Sequence, residues 1–402
     1  MANEKETLLK VDHLCQYFGS VKAVDDVSFE IKKGEVFGLV GESGCGKTTT
    51  GRSIIKIYDI TSGSIYFKDQ RICAGTLGYK KEIKALKDKI KELKRSGSSD
   101  AQEKIEACQN RIQELKVEIE KAKFDHNHSD REYAKNLMAK TREEYDAKLK
   151  AAEGDPEEQK KLQQACKDQL RVDKNTKLIT QIQMIFQDPI ASLNPRMTVK
   201  EIISEGLVIN GIKDQAYIDE KVYEILELVG LVREHAGRYP HEFSGGQRQR
   251  IGIARVVIMR PDLLIADEPI SALDVSIQAQ VINLLNELRQ TLDLTILFIA
   301  HDLSVVKYFS DRIGVMYFGK MVELADSDEL FANPMHPYTK SLLSAIPLPD
   351  PHSEKNRQRI TYNSLAEHDY SEDKPSLREI KPGHFVYCND AEEAKYKKEL
   401  GV

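Results

Sequence analysis

The eight residues Gly41-Glu-Ser-Gly-Cys-Gly-Lys47-Thr48 restrict the possible fold more than any other feature of the sequence. They match the pattern G-x-x-x-x-G-K-[ST], and they follow a short apolar run at residues 36–40 that is typical of a buried parallel strand. In such a loop the glycines let successive backbone N–H groups turn towards phosphate oxygens at the start of a helix. Lys47 is then expected to neutralise the β- and γ-phosphates, and Thr48 to ligate Mg²⁺. The pattern predicts an α/β domain that binds a nucleotide.

A second apolar run, Leu263–Ala266, ends in the acidic pair Asp267 and Glu268. Many buried strands end in carboxylates, so this run is informative only in combination with the phosphate loop. In that combination Asp267 is expected to hold Mg²⁺, through water, and Glu268 to polarise an attacking water molecule. The two patterns together predict an ATP-hydrolysing site.

Further motifs, in the same order along the chain, resemble those of the ATP-binding-cassette (ABC) ATPases. These are an adenine-stacking aromatic at Phe18 (with Tyr17 as the alternative), a Q-loop at Gln187, a signature at Phe243–Gln247 with Phe for the usual Leu, a D-loop at Ser271–Asp274 and a switch histidine at His301. The resemblance covers residues 8–325 apart from one charged region. It implies an α/β P-loop core with an antiparallel β subdomain and a helical signature subdomain.

The resemblance also implies a set of site residues. The catalytic residues would be Glu268, His301 and Gln187, and the Mg²⁺ ligands Thr48, Gln187 and Asp267. The ATP contacts would be Phe18, Gly41, Ser43, Gly44, Cys45, Gly46, Lys47, Thr48, Thr49, Ser244, Gly245, Gly246, Gln247 and Asp274. In the family the signature loop reaches the γ-phosphate bound by the other subunit, so two ATP molecules hold two subunits head to tail, and hydrolysis releases them.

Three segments outside the catalytic set are similar to the oligopeptide/dipeptide (and nickel) importer branch: residues 189–197, 333–339 and 345–347. This branch implies a second-ATPase subunit that pairs with a different ATPase chain. It also implies two transmembrane permease subunits, an indirect link to an extracytoplasmic substrate-binding protein, and a peripheral location on the cytoplasmic face of the membrane. Peptide, nickel and other small solutes stay open as substrates, because other chains select them.

Residues 79–178 differ in composition, with 25 Lys/Arg and 21 Asp/Glu but only two Gly and one Pro. Apolar residues recur there at coiled-coil spacing, at 83, 86, 90 and 93 and again at 105, 108, 112, 115 and 119. We expect an inserted antiparallel coiled-coil hairpin with its turn at 96–100 and Asp100 as an N-cap. A second, weaker hairpin is expected from helices near 131–153 and 156–171, with Asp155 as an N-cap. The arms would be roughly 20–35 Å long.

The composition divides the chain into four regions: residues 1–78 and 179–325 as the two parts of the ATPase domain, 79–178 as the insert, and 326–402 as a small C-terminal extension. The branch often carries several C-terminal cysteines, whereas here only Cys388 matches. Because one thiolate cannot hold a cluster, no iron–sulfur site is expected. No apolar run approaches the roughly 20 residues of a membrane span.

ABC ATPases of DNA repair and chromosome maintenance form the alternative class, since they also contain coiled coils. Their coils are usually much longer and follow the Q-loop, whereas this region precedes Gln187. The net charge is −5, and the chain outside the insert is more acidic still. No nucleic-acid partner is therefore expected.

Overall fold

The structure is a computed structural model that describes residues 6–96, 101–152, 156–188, 192–271, 273–346 and 359–401. The strands are β1 Thr7–Phe18, β2 Val21–Lys32, β3 Val36–Val40, β4 Ser62–Phe67, β5 Gln70–Thr76, β6 Ile182–Ile185, β7 Leu263–Asp267, β8 Thr295–Ala300, β9 Arg312–Tyr317, β10 Lys320–Asp326, β11 Ser376–Lys381 and β12 His384–Cys388. The helices are α1 Lys47–Ile54, α2 Leu77–Ser96, α3 Ala101–Ala151, α4 Pro156–Asn175, α5 Val199–Ile209, α6 Gln215–Leu228, α7 Gly245–Val257, α8 Val275–Leu292, α9 Leu303–Phe309, α10 Ser327–Ala332, α11 Pro337–Ser344, α12 Ser364–Glu367 and α13 Asp390–Leu400.

Two sheets organise the molecule. One is antiparallel, with strand order β2-β1-β4-β5, and the other has eight strands in the order β11-β12-β10-β9-β3-β8-β7-β6. Strands β9, β3, β8, β7 and β6 of the second sheet run parallel. The α/β core and the separate antiparallel subdomain therefore agree with the sequence prediction.

The central parallel strands bring the predicted site residues to one edge of the sheet. Every residue of β3, β7 and β8 is buried, as expected for apolar strands covered on both faces. The phosphate loop follows β3, Gln187 follows β6, Glu268 follows β7 and His301 follows β8. Because parallel strands end at the same edge, these four positions meet there.

Helices α5, α6 and α7 form the helical subdomain that carries the signature residues. Helix α5 begins with a capping box, in which the Thr198 hydroxyl accepts from the Glu201 N–H and the Glu201 carboxylate accepts from the Thr198 N–H. Helix α6 is capped by Asp214. Both caps satisfy N–H groups that have no partner within the helix.

The charged region is helical, but α3 is one helix where the sequence suggested a break near residues 120–130. Its 51 residues include no Gly or Pro, so nothing in the backbone interrupts it over about 76 Å. The predicted apolar face is buried at Ile105, Cys108, Ile112 and Leu115. The proposed caps Asp100 and Asp155 lie outside the described residues.

Helices α2 and α4 pack along opposite halves of α3, and the middle of α3 lies on the antiparallel sheet. Glu82 of α2 accepts from Arg111 of α3 at 3.0 Å, and Asp173 of α4 accepts from the Thr141 hydroxyl at 2.5 Å. Between these contacts, Asp125 forms an ion pair with Arg71 of β5 at 2.5 Å. The insert is therefore fixed to the β subdomain at its centre.

The C-terminal extension enlarges the main sheet. Strand β12 pairs with β10, and β11 pairs with β12, both antiparallel. At the end of β12 the Cys388 thiol is buried, and burial raises its pKa to about 12. The sequence suggested an appendage here without predicting this hairpin.

Candidate nucleotide site

The phosphate loop has a backbone that only glycine can adopt at its two ends. Gly41 and Gly46 have φ of +147° and +107°. A Cβ atom at Gly41 would lie 2.2 Å from the Met316 carbonyl oxygen, and one at Gly46 would lie 2.3 Å from the Ala23 carbonyl oxygen. The loop is thus held tightly against β9 and β2. At Gly44, with φ +82°, a Cβ would meet nothing within 4 Å, which leaves that part of the loop open.

Lys47 is held by the loop itself. Its side-chain ammonium donates to the carbonyl oxygens of Gly41 at 2.7 Å and Glu42 at 2.9 Å, and the residue is only 4% exposed. A buried ammonium needs such acceptors. These contacts keep the ammonium group of Lys47 inside the loop.

Thr48 and Asp267 meet although 219 residues separate them. The Thr48 hydroxyl donates to Asp267 Oδ1 at 2.8 Å. The other carboxylate oxygen, Oδ2, is buried and has no hydrogen-bond partner among the described residues. Burial raises the pKa of Asp267, an effect opposed by the hydrogen bond from Thr48. A buried carboxylate oxygen without a hydrogen-bond partner is a candidate ligand for a cation.

Gln187 and His301 both contact Glu268. The Gln187 side-chain amide donates to Glu268 Oε2 at 2.9 Å, and His301 Nδ1 lies 3.3 Å from the same oxygen. A cavity of about 60 Å³ is lined by Glu268, Ser271 and His301, among others, and has room for a water molecule. Two of the three predicted catalytic residues, Glu268 and His301, therefore line a space where water could approach a carboxylate, and Gln187 contacts that carboxylate from outside the cavity.

The two aromatic candidates for adenine stacking differ in environment. Phe18 is 44% exposed and contacts Tyr58 edge to face, with ring centroids 5.2 Å apart. The Tyr17 hydroxyl donates to Asp25, and the ammonium groups of Lys22 and Lys81 lie over its ring. The Phe18 ring is the more accessible of the two.

The signature residues begin helix α7. The Ser244 hydroxyl accepts from the Gln247 N–H, and the Gln247 side chain accepts from the Ser244 N–H at 3.1 Å. A Cβ at Gly246 would lie 2.7 Å from Ile277 of α8, so glycine permits this close packing. Asp274, at the start of α8, is exposed. Within the described residues, no hydrogen bond joins the signature to the phosphate loop of the same chain.

One contact of the phosphate loop was not predicted from the sequence. The Glu42 N–H donates to the hydroxyl of Tyr338 at 3.0 Å, across 296 residues. Tyr338 belongs to the segment Asn333–Thr339, which the sequence analysis used only to recognise the importer branch. A lone Tyr after Pro337 gives no local signal of contact with a loop near the N-terminus.

The fold and the converging residues define a P-loop ATPase of the cassette type. The family model described as ABC transporter matches residues 24–162 and 148–271, and the model described as oligopeptide/dipeptide transporter, C-terminal region, matches residues 322–375. The chain therefore belongs to the ABC transporter ATP-binding proteins, in the branch of the oligopeptide and dipeptide transport proteins.

Curated relatives support this placement over nearly the full length. The chain is 47% identical over 392 residues to the oligopeptide transport ATP-binding protein OppF of Bacillus subtilis, covering 96% of this chain and 98% of that protein. It is 45% identical to AmiF of Streptococcus pneumoniae and to DppF of Lactococcus lactis, in each case over 94% of this chain and 92% of the relative. Because such matches must include most of residues 79–178, the charged region is shared with these relatives.

Solved structures agree on the fold alone. The cbiO1 subunit from Clostridium perfringens, part of the ABC transporter complex cbiONQ, has a TM-score of 0.51 at 22% identity, covering 82% of this chain and 92% of that one. The ATP-binding cassette MJ1267 has a TM-score of 0.53 at 20% identity, covering 84% and 99%.

Proposed function

We propose that this chain is the ATP-hydrolysing subunit that powers import of peptides, or of a related small solute, through an ABC transporter. The observation that carries the proposal is the convergence of Thr48 with Asp267, and of Gln187 and His301 with Glu268, at one edge of the sheet. Membership of the family supports ATPase activity coupled to transport. The names of the curated relatives favour peptides.

ATP would bind through the loop 41–49, with its phosphates against the backbone N–H groups and Lys47, and its adenine on Phe18. Thr48, Asp267 and Gln187 would hold Mg²⁺, and the unpaired Oδ2 of Asp267 supports that assignment. The described residues contain no group of three or more His, Cys, Asp or Glu side chains suited to a metal. Mg²⁺ commonly uses one or two carboxylates together with substrate phosphates, and Asp267 and a bound ATP would provide these.

Glu268 is the proposed general base. Its carboxylate would polarise a water molecule in the adjoining cavity and take up a proton as that water attacks the γ-phosphorus. Gln187 and His301 would hold the carboxylate in place through their contacts with Oε2. Gln187 would also sense the nucleotide, since it is itself a proposed Mg²⁺ ligand and contacts the proposed base Glu268.

The signature residues Ser244–Gln247 and the D-loop residue Asp274 would act on the nucleotide of a second ATPase subunit, a different but related chain. Their position at helix N-termini, where N–H groups and the helix dipole favour anions, supports this role. Two bound ATP molecules would then stabilise a closed dimer, and hydrolysis would open it.

Two permease subunits would couple to this cycle beside Gln187. A cleft of about 990 Å³ lies between the segment that contains Gln187 and helix α5, and Ile209 at its edge is 77% exposed. A helix from a permease would fit such an apolar-edged cleft. No described helix is long and apolar enough to cross a membrane. We propose a peripheral site on the cytoplasmic face, with a substrate-binding protein linked through the permeases.

We propose that the chain is divided into an ATPase domain formed by residues 1–78 and 179–325, an insert at 79–178 and a C-terminal extension at 326–402. The packing of α2 and α4 along α3 supports antiparallel coiled-coil hairpins, since the apolar residues of the predicted seam in α3 are buried where the helices pack. The alternative role in DNA repair is not supported, because the curated relatives are transport ATP-binding proteins.

Co-purification and transport together test the proposal. The chain would be expressed with candidate permease subunits from the same genome, and the complex reconstituted in proteoliposomes with a peptide-binding protein. We expect ATP-dependent uptake of a labelled oligopeptide, with labelled Ni²⁺ as the comparison solute. A chain that purifies without membrane proteins and whose ATPase activity responds to DNA would contradict the proposal.

A further inference from the structure

A single peptide group joins the phosphate loop to the C-terminal region. The carbonyl oxygen of Gly41 accepts from the Lys47 ammonium at 2.7 Å, while the N–H of the same peptide, on Glu42, donates to the Tyr338 hydroxyl at 3.0 Å. The carbonyl and the N–H of this peptide point in opposite directions, and each of them therefore has its own hydrogen-bond partner. A rotation that broke the contact with Tyr338 would also move the oxygen that holds Lys47.

Tyr338 is itself fixed by a buried polar chain. Its N–H donates to His336 Nδ1 at 3.1 Å, and the His336 N–H donates to Glu323 at 3.0 Å. Burial lowers the pKa of His336 to about 3, so the ring is neutral and Nδ1 can accept. Glu323 in turn contacts His384 of β12 at 2.9 Å, and both side chains are fully buried.

The Tyr338 ring also packs against two neighbouring aromatic rings. The Tyr317 ring lies 4.4 Å away and the Tyr362 ring 5.6 Å away, measured between centroids, and Tyr338 is 2% exposed. Because the backbone and the ring of Tyr338 are both held, its hydroxyl oxygen stays in one position beside the phosphate loop.

We propose that Tyr338 is a positioning residue for ATP binding, which orients the Gly41–Glu42 peptide and through it the Lys47 ammonium that faces the phosphates. This inference rests on the proposed function, since it needs the loop to bind ATP. It gives the segment Asn333–Thr339 a role in the nucleotide site. Without the hydroxyl, the Glu42 N–H loses its partner, and the loop is free to turn that peptide away.

Tyr338→Phe tests the inference in the full-length chain, because it removes the hydroxyl and keeps the ring. Dissociation constants for ATP, ADP and adenosine would be measured by calorimetry, beside thermal melting. Tyr362→Phe is the matched control, since this ring belongs to the same cluster and, among the described residues, its hydroxyl makes no hydrogen bond to the loop. We expect the dissociation constants of ATP and ADP to rise at least about fivefold in Tyr338→Phe, and that of adenosine to stay the same.

Two results would overturn the inference. One is ATP binding by Tyr338→Phe as tight as in wild type. The other is an equal loss of affinity for ATP, ADP and adenosine together with a lower melting temperature, which would indicate a merely structural role. If the wild-type chain does not bind ATP, the proposed function is wrong and the inference falls with it. Weakened ATP and ADP binding, with unchanged adenosine binding and wild-type-like Tyr362→Phe, supports the inference.

Discussion

Asp267 and Glu268 are neighbours in sequence but contact different parts of the site. Asp267 ends β7 and meets Thr48, whereas Glu268 has φ +45° and meets Gln187 and His301. Positive φ is uncommon for a residue with a side chain. At Glu268 it ends the extended backbone of β7, in which successive side chains point to opposite faces. The turn therefore separates a proposed metal ligand from a proposed base within two residues.

Glu268→Gln should leave ATP binding intact and lower the hydrolysis rate by about 10²–10⁴-fold, because the amide keeps the shape and loses the base. Turnover of the reconstituted complex and nucleotide affinity would be measured together. The variant should also accumulate the ATP-bound closed dimer. Glu287→Gln, on the exposed side of α8, is the matched control. A wild-type rate in Glu268→Gln would rule out the role assigned to this carboxylate.

Asp267→Asn should raise the melting temperature of the nucleotide-free chain by a few degrees at neutral pH and remove Mg²⁺-dependent hydrolysis. Burial raises the pKa of Asp267 in the folded state, so its ionisation costs stability as the pH rises through that pKa. The difference between variant and wild type should therefore shrink as the pH falls towards about 4. Mg²⁺-ATP should stabilise wild type more than the variant. Equal melting temperatures across the pH range would contradict this account.

At the scale of elements, the features that local sequence patterns specify were predicted, whereas those that depend on contacts between distant residues were missed. Apolar runs predicted β3 and β7, and coiled-coil spacing predicted α2 and the first part of α3. The continuity of α3 was missed because Asp125-His-Asn-His-Ser-Asp130 has low helix propensity, and tertiary packing on β5 overrides it. The β11–β12 hairpin was missed because its partner β10 lies about 60 residues earlier, with no local signal.

The site shows the same division between local and distant information. The residues of the phosphate loop and the acidic pair could be found from short motifs, each of which has a chemical reason for its spacing. The contact of Glu42 with Tyr338 could not be found in this way, since it depends on how β9, β10 and α11 pack. His336 and Glu323, which hold Tyr338 in place, are themselves buried by segments that are distant in sequence.

The anchoring of α3 predicts which parts of the insert can be removed. Replacing residues 87–106 or 147–167 with a short Gly/Ser loop removes the outer ends but keeps the Glu82–Arg111 and Thr141–Asp173 contacts. We expect the ATP affinity of both variants to be unchanged and their melting temperatures to stay within a few degrees of wild type. Any loss should appear in assembly with partner subunits.

Replacing the whole region 79–178 is the matched comparison. It removes the centre of α3, with Asp125 and Tyr133, and uncovers β5, so it should melt well below the trimmed variants. Calorimetric melting and ATP titration check both. Trimmed variants that unfold would show that the outer ends belong to the core.

At the scale of the whole molecule, the chain has two proposed nucleotide-binding surfaces, and no hydrogen bond joins them in the part of the chain that the structure describes. The phosphate loop lies in the α/β core, and the signature lies at the start of α7 in the helical subdomain. Under the proposed function, one chain would supply half of each of two sites, and turnover would depend on a pair of subunits.

Lys47→Ala should weaken ATP binding by the isolated chain strongly, because the triphosphate loses its main counter-charge. Ser244→Arg should spare that binding and block closure with the partner subunit, so the assembled complex loses turnover. Ser244→Ala controls for the lost N-cap, which costs about 1 kcal/mol. Affinity of the isolated chain and ATPase rate of the complex separate the two effects. Equal loss of affinity in Lys47→Ala and Ser244→Arg would contradict the division into own and partner sites.

The distance in sequence between Glu42 and Tyr338 also matters while the chain is being made. Ribosomes add about 5–20 residues per second, so the 296 residues between the two take roughly 15–60 s to synthesise. Over that interval the nascent phosphate loop lacks its hydrogen bond to the Tyr338 hydroxyl. The hydrogen bond from the Val36 N–H to Asp311 forms after a similar delay, because 275 residues separate the two. The proposed nucleotide site of a newly made chain therefore gains this contact only after Tyr338 has been synthesised, well after the helical insert.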